Sequence, residues 1–283
     1  MNAPIKYSYL KIHAAVFLFG VAGLFGKWIN LPAEVIVFGR VFFGGLVFAI
    51  FFYFSKEKIK ITSRRDLATI IFSGLLLAFH WVAFFRSIQI STVAIGLLSY
   101  SVFPFFTVLL EPVFLKTKLR LSFIFPALLI IAGVYLILPS FSLDNSTTTG
   151  VIWGLLSGLS FAFITIINRM MIRHYSSRML SFYLNLFACV VLIPFLFSAD
   201  YNIVYSDIVL LLLLGVVFTA VAHNLFIGGM RHIPARVAGL IAALEPVYAI
   251  IFALILLKEV PDTRTIAGGL LIIISMIGGS RLR

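Results

Sequence analysis

Ten runs of apolar residues follow one another through this chain of 283 residues. They lie at approximately 10–29, 33–54, 67–87, 92–115, 121–139, 150–171, 179–198, 207–230, 235–257 and 264–280, each bounded by charge or by Pro/Gly breaks. A helix crossing a bilayer needs ~20 mostly apolar residues. The runs therefore predict an all-α integral membrane protein with ten transmembrane helices, leaving little chain for a soluble domain. Composition agrees: 62% of residues are hydrophobic and 11% charged, against ~45–50% and ~25% in soluble domains. That excludes a water-soluble enzyme, a disordered chain and a disulfide scaffold. Transmembrane β-strands would alternate in polarity, whereas Ile208–Phe218 and Leu270–Ile274 are apolar throughout. The first run lacks a small-residue cleavage site and reads as a retained helix, not a signal peptide. The single cysteine, Cys189, precludes an intrachain disulfide.

The net charge of +12 would point to nucleic acid in a soluble protein; in a membrane protein its distribution matters more. With the N-terminus in the cytoplasm, the inner segments carry Lys6, Lys11, Lys56, Lys58, Lys60, Arg64, Arg65, Lys116, Lys118, Arg120, Arg169, Arg173, Arg178, Arg231, Arg236, Arg281 and Arg283. The outer segments carry only Lys27, Arg86, Lys258 and Arg264, while Arg40 lies within a span. Basic residues concentrate on the cytoplasmic side of membrane proteins. The bias predicts N-in, C-in and an even helix count, in what reads as a bacterial cytoplasmic (inner) membrane.

The two halves resemble each other. "AFHWVAFFRSIQISTVAIG" (78–96) aligns with "AVAHNLFIGGMRHIPARVAG" (220–239), placing His80 on His223, Ile90 on Ile233 and Gly96 on Gly239. "PFFTVLLEPVFLKTKLR" (104–120) aligns with "PVYAIIFALILLKEVPD" (246–262), placing Pro104 on Pro246 and Lys116 on Lys258; "PALLII" (126–131) follows "GGLLII" (268–273). Five helices is an odd number, so the second copy must run upside down. The predicted units are an N-terminal five-helix repeat (1–139), an extracytoplasmic loop (140–149) and a C-terminal repeat (150–283). Inverted repeats let a carrier expose one midplane site to either side.

Three further features, "LEPVYAIIFALILLKEVP" (244–261), "FGVAGLFGKW" (19–28) and "FGR" (38–40), combine with the paired five-helix halves. On them the chain resembles the ten-helix EamA-type branch of the drug/metabolite transporter superfamily, over essentially its whole length. The N-terminal copy departs from the pattern: Phe103-Pro104 stands for Glu-Pro and Lys116-Thr117 for Lys-Glu. The resemblance implies export, sometimes uptake, of small metabolites through a central cavity lined by both halves. It does not fix the substrate.

Ionisable side chains inside a membrane are expensive, ~2.5–3.5 kcal/mol at the centre of a span, and mark functional sites by default. Here they are Arg40, His80, Glu111, His223 and Glu245, with His13 near the start of the first run. His80 and His223 occupy matched repeat positions and read either as cavity-lining proton-exchanging groups or as packing hydrogen bonds. Glu245 reads as a partner for a substrate amine or a proton, or as part of a kink at Pro246. Arg40, whose charge is permanent, reads as structural, paired with Glu245 or helix carbonyls, or as a holder of a carboxylate. Glu111 reads as a structural ion pair near Lys116. The expected cavity set is His80, Trp81, Phe84, Ser99, Tyr100, Ser157, Thr165, His223, Asn224, Glu245 and Tyr248, with Arg40, Glu111, Pro104 and Pro246 in structural or coupling roles. The sixth run has a polar stripe (Ser157, Ser160, Thr165, Asn168), and Gly154 with Gly158 forms G-x-x-x-G, read as close helix packing. "NST" (145–147) fits a glycosylation acceptor only in a eukaryotic secretory pathway. No hydrolase, P-loop or metal-site spacing is present. The expected protein is a secondary transporter, an exporter of small amphipathic metabolites such as amino acids, working by alternating access. No cofactor, metal or nucleic acid is expected; a small-molecule substrate, the lipid bilayer and a coupling proton are. The alternative is a membrane enzyme or lipid-handling protein using the paired histidines.

Overall fold

The computed structural model describes residues 3–57, 59–116, 124–138, 142, 144–197, 200–242 and 244–281. Lys58, Lys118, Arg120 and Arg283 of the charge map lie outside the described residues, as do 121–123 and 139 of the fifth run and 140, 141 and 143 of the central loop. Among the described residues the regular structure is entirely helical. The first half holds α1 (Ala3–Ala22), α2 (Phe25–Trp28), α3 (Ala33–Ser55), α4 (Arg64–Ile90), α5 (Val93–Tyr100), α6 (Phe103–Leu115) and α7 (Ile124–Ile137). The second holds α8 (Ser146–Met171), α9 (Ser177–Leu192), α10 (Tyr205–Gly215), α11 (Ala222–Gly229), α12 (Ala235–Ala242), α13 (Glu245–Phe252) and α14 (Thr263–Arg281). A 3₁₀ turn, Ile193–Phe197, ends α9, and π turns occupy Val216–Val221 and Ala253–Leu257.

Among the described residues, seven helical stretches are long and apolar enough to cross a bilayer: Pro4–Trp28, Ala33–Ser55, Arg64–Ile90, Val93–Phe114, Ser146–Met171, Ser177–Phe197 and Tyr205–Gly229. Three shorter apolar helices cover Leu128–Ile137, Glu245–Leu257 and Thr263–Ser275. Large apolar side chains such as Phe42, Ile50, Phe79, Leu212 and Ile255 point outward. That is the surface of an all-helical protein solvated by lipid, where only helices with internally satisfied backbones can stand.

Several runs that read as continuous are interrupted. α5 and α6 meet at a break after Tyr100, where the Ser101 hydroxyl donates to the Leu98 carbonyl (2.8 Å) and Pro104 falls in the first turn of α6. A proline has no N–H to continue a helix but fits the start of one. The same logic corrects the expected kink at Pro246. It lies in the first turn of α13, which begins afresh at Glu245. Between α10 and α11 the chain widens into a π turn, and the Thr219 hydroxyl reaches back to the Leu214 carbonyl (2.8 Å). Lys116 and Lys258, which the sequence alignment pairs, both close their helices in the left-handed region, with φ of 54° and 56°.

Close packing sets the interior. α8 lies against α4 and α5, and the G-x-x-x-G pair permits it: a Cβ on Gly158 would come within 2.7 Å of the Tyr100 carbonyl oxygen. α7 meets α14 through Gly133 and Gly268, where a Cβ on Gly133 would come 2.7 Å from the Gly268 carbonyl oxygen.

Candidate functional site

Seven helices, α1, α3, α4, α5, α8, α11 and α13, converge on a small cavity in the middle of the molecule. Its polar lining is Arg40 from α3, His80 from α4, Tyr100 from α5, His223 from α11 and Glu245 from α13. Phe19, Ala22, Trp81, Phe84 and Phe161 complete it. None of the ten is more than 7% exposed. The space free for the centre of a water molecule is about 20 Å³, room for about one water. The cavity is narrow, and five polar groups line it.

His80 is held by α8. Its Nδ1 lies 2.9 Å from Ser157 Oγ and 3.1 Å from the Ser157 carbonyl, while the Ser157 hydroxyl donates back to the His80 carbonyl (3.0 Å). A hydroxyl donating to that carbonyl leaves Nδ1–H as the donor toward Ser157, so Nε2 is the free acceptor. The ring packs 4.8 Å, centroid to centroid, from Phe161 and 5.4 Å from Tyr100. His80 thus lines the cavity and also bonds a neighbouring helix. His223 differs. Its Nδ1 is buried with no hydrogen-bond partner, and its ring is wedged edge-on between Trp81 (4.9 Å) and Phe19 (5.4 Å).

Arg40 lies with its guanidinium 3.7 Å above the Trp81 ring. Its Nε donates to Thr219 Oγ1 (3.0 Å) and an Nη to the Phe218 carbonyl (3.5 Å). Both partners belong to the π turn, whose wider winding turns a carbonyl and a hydroxyl toward the guanidinium. A cation–π contact is worth about 2 kcal/mol when desolvated, a sizeable offset to keeping a permanent charge inside a membrane. Of the sequence readings, the one with helix carbonyls is observed. Arg40 forms no direct ion pair with Glu245, although each lies in the other's field.

Glu245 stands beside Tyr100 in the lining, and its Oε2 is buried with no partner. Buried polar atoms are nearly always hydrogen-bonded, so an orphan calls for an explanation. Two orphans, Glu245 Oε2 and His223 Nδ1, lie in residues lining one cavity.

Of the residues singled out in the sequence, His80, Trp81, Phe84, Tyr100, His223, Glu245 and Arg40 come together here. Five others lie apart from the lining. Ser99 and Thr165 are fully buried and bond their own helices, at the Ile95 (2.7 Å) and Phe161 (2.8 Å) carbonyls. Ser157 anchors His80 from behind. Tyr248 packs against Phe17 on α1 (5.4 Å), and the Asn224 Oδ1 is buried without a partner. Pro104 and Pro246 start helices, and Glu111 is buried in α6, close enough to Arg169 for their charges to interact. Sequence reasoning missed Phe19, Ala22 and Phe161 in the lining and Phe218 and Thr219 as partners of Arg40.

Apolar helices around a buried polar cavity are the architecture of an integral membrane protein. The model of the EamA-like transporter family matches residues 6–138 and again 148–280, and the chain belongs to that family, within the drug/metabolite transporter superfamily. It is 26% identical over 272 residues to the uncharacterized transporter YxxF of Bacillus subtilis, covering 94% of this chain and 87% of the other. It is also 26% identical over 283 residues to the pseudopaline exporter CntI of Pseudomonas aeruginosa (strain UCBPP-PA14), covering 99% and 98%. A solved crystal structure shares the fold with a TM-score of 0.70 at 17% identity, over 98% of this chain and 96% of that one. The protein is a transporter and not an enzyme, so the membrane-enzyme part of the alternative falls away.

Proposed function

We propose that the protein is a secondary carrier that exports small amphipathic metabolites, such as amino acids or related compounds, by alternating access at the central cavity. The observation that carries this reading is the polar cavity itself. The Arg40 guanidinium and the Glu245 carboxyl, one of whose oxygens has no partner, line it together with aromatic side chains. A zwitterionic molecule with an apolar body would place its carboxylate toward Arg40, its amine toward Glu245 and its body on Trp81 and Phe84. The present cavity admits about one water, so a metabolite enters only when the surrounding helices part. The broken helices α5–α6 and α12–α13 supply the joints. The architecture that fits is ten spans in two inverted five-helix repeats, with both termini in the cytoplasm of a bacterial inner membrane and Glu245 as the residue that takes a coupling proton. The name of one relative, an exporter, supports the direction of transport.

Counterflow tests the reading. Proteoliposomes preloaded with unlabelled amino acids should transiently accumulate the labelled compound above equilibrium. Failure across a broad metabolite panel would leave this reading without support. Topology has its own measurement: a cysteine at Asn145 should react with an impermeant thiol reagent from outside intact cells, and one at Arg65 only after permeabilisation. Reversed labelling refutes the orientation.

A further inference from the structure

The Lys258-Glu259 pair ends the segment whose sequence resembles the family, yet it lies far from the cavity lining. The structure gives Glu259 a task. Lys258 closes the π turn in the left-handed conformation, and the Glu259 N–H returns to the Ala253 carbonyl (3.2 Å). The carboxylate Oε1 then accepts the Ala94 N–H (3.3 Å) in the first turn of α5. Thr92 Oγ1 takes the next N–H, of Ile95 (3.1 Å). A carboxylate at a helix N-terminus is doubly favoured, by hydrogen bond and by the helix dipole. Lys27, at the end of α2, donates to the Ser91 carbonyl (2.8 Å) and lies in the field of Glu259. The first span, the α4–α5 junction and the segment after α13 are thereby joined at one face of the membrane, the face remote from the N-terminus.

The opposite end of α5 faces the same segment. Tyr100, its last residue, lines the cavity together with Glu245, the first residue of α13. Two carboxylates therefore stand at the two ends of one eight-residue helix: Glu259 bonds its N-terminus, outside the cavity lining, and Glu245 shares the lining with Tyr100 at its C-terminal end. We infer that Glu259 is the outer gate residue: its bond to the N-terminus of α5 holds the cavity shut toward the face remote from the N-terminus, and release of α5 opens it. The device is one-sided. The matching position of the N-terminal half is Thr117, which carries no charge to complement a helix N-terminus or a lysine. This inference rests on the alternating-access reading and deepens it.

The test is cavity accessibility in a Cys189→Ser background carrying Ala22→Cys, a cavity-lining position. Inverted and right-side-out vesicles are labelled with an impermeant thiol reagent. Labelling from the N-terminal face at some rate establishes that the cavity opens; none from either face overturns alternating access, and the gate with it. With the cavity shown to open, adding Glu259→Ala should raise labelling from the remote face about tenfold, the effect of one charge-assisted hydrogen bond. Glu259→Gln, which keeps an acceptor for Ala94 but loses the charge, should give a smaller rise. An unchanged rate in both variants overturns the gate while alternating access stands. A rise from both faces alike, with loss of folded protein, also overturns it, since Glu259 would then hold the fold and not a gate.

Discussion

Gly158→Ala and Gly45→Ala are the same chemical change in two membrane helices, and the structure gives them opposite outcomes. At Gly45 the nearest atom to a new Cβ is Asn185 Cβ, at 3.6 Å, an ordinary contact. At Gly158 it is the Tyr100 carbonyl oxygen, at 2.7 Å, a backbone atom that cannot rotate away. Restoring ordinary contact there requires the end of α5 to retreat by about 0.7 Å, on a carbon–oxygen contact distance of ~3.4 Å. Overpacking of this kind costs about 1–3 kcal/mol. The gain from replacing glycine in a helix, about 1 kcal/mol, is common to both variants and cancels in their difference. Gly158→Ala should therefore be about 1–3 kcal/mol less stable than Gly45→Ala, measured by unfolding of the purified proteins in mixed micelles. Because Tyr100 lines the cavity, its substrate affinity should fall as well. Equal stability of the two variants would refute the argument that α5 is seated on the glycine face of α8.

Three other outcomes are expected. If Glu245 takes the coupling proton, Glu245→Gln should abolish the pH dependence of net transport in proteoliposomes and preserve substrate exchange; loss of exchange as well would mark it as the substrate's amine partner. His80→Ala and His223→Ala should lower transport per molecule at near-normal membrane abundance, whereas Ser157→Ala, which removes the hydroxyl between His80 Nδ1 and the His80 carbonyl but keeps the Ser157 carbonyl as a partner of Nδ1, should cost about 0.5–1.5 kcal/mol of stability in the same micelle assay. Asp262, outside the spans, accepts hydrogen bonds from Thr265, including its backbone N–H (2.7 Å), and these hold its carboxyl below the usual carboxylate range. A lowered folded value means the stabilisation is present above the unfolded value of about 3.9 and fades as pH falls through the folded one; Asp262→Asn should flatten this acid limb, read by thermal unfolding between pH 3 and 6.

What the sequence made legible is what membranes make simple. Apolar runs, the expense of buried charge and the matched histidines led to His80, His223, Arg40 and Glu245, which do line one cavity. The aromatic walls were harder, because Phe19 and Phe161 stand among thirty phenylalanines and nothing local separates a lining ring from a lipid-facing one. The helix breaks were half legible. Pro104 and Pro246 were visible, but a proline marks a kink and a fresh start equally well, and only the structure shows that α6 and α13 begin there. The π turn at "VVFTAV" carries no signal, since a uniformly apolar stretch has the same composition in an α or a π winding. For that reason Thr219 and Phe218 were not foreseen as the seat of Arg40. Ser157 was foreseen in the cavity and lies one layer behind it, because helical periodicity gives a residue's face but not its depth.

The π turn between α10 and α11 has a consequence for how such chains diverge. A π turn holds one residue more than the α-helix it interrupts, so everything after it is rotated about 100° relative to an uninterrupted helix. His223 and Phe226 face inward on that offset. Removing a single residue from 216–221 would leave a straighter helix, equally apolar, with His223 swung off the cavity and Arg40 facing a closed backbone. Length in this short stretch is thus a variable in its own right: a one-residue deletion could change which side chains meet the transported molecule while leaving every apolar run in place.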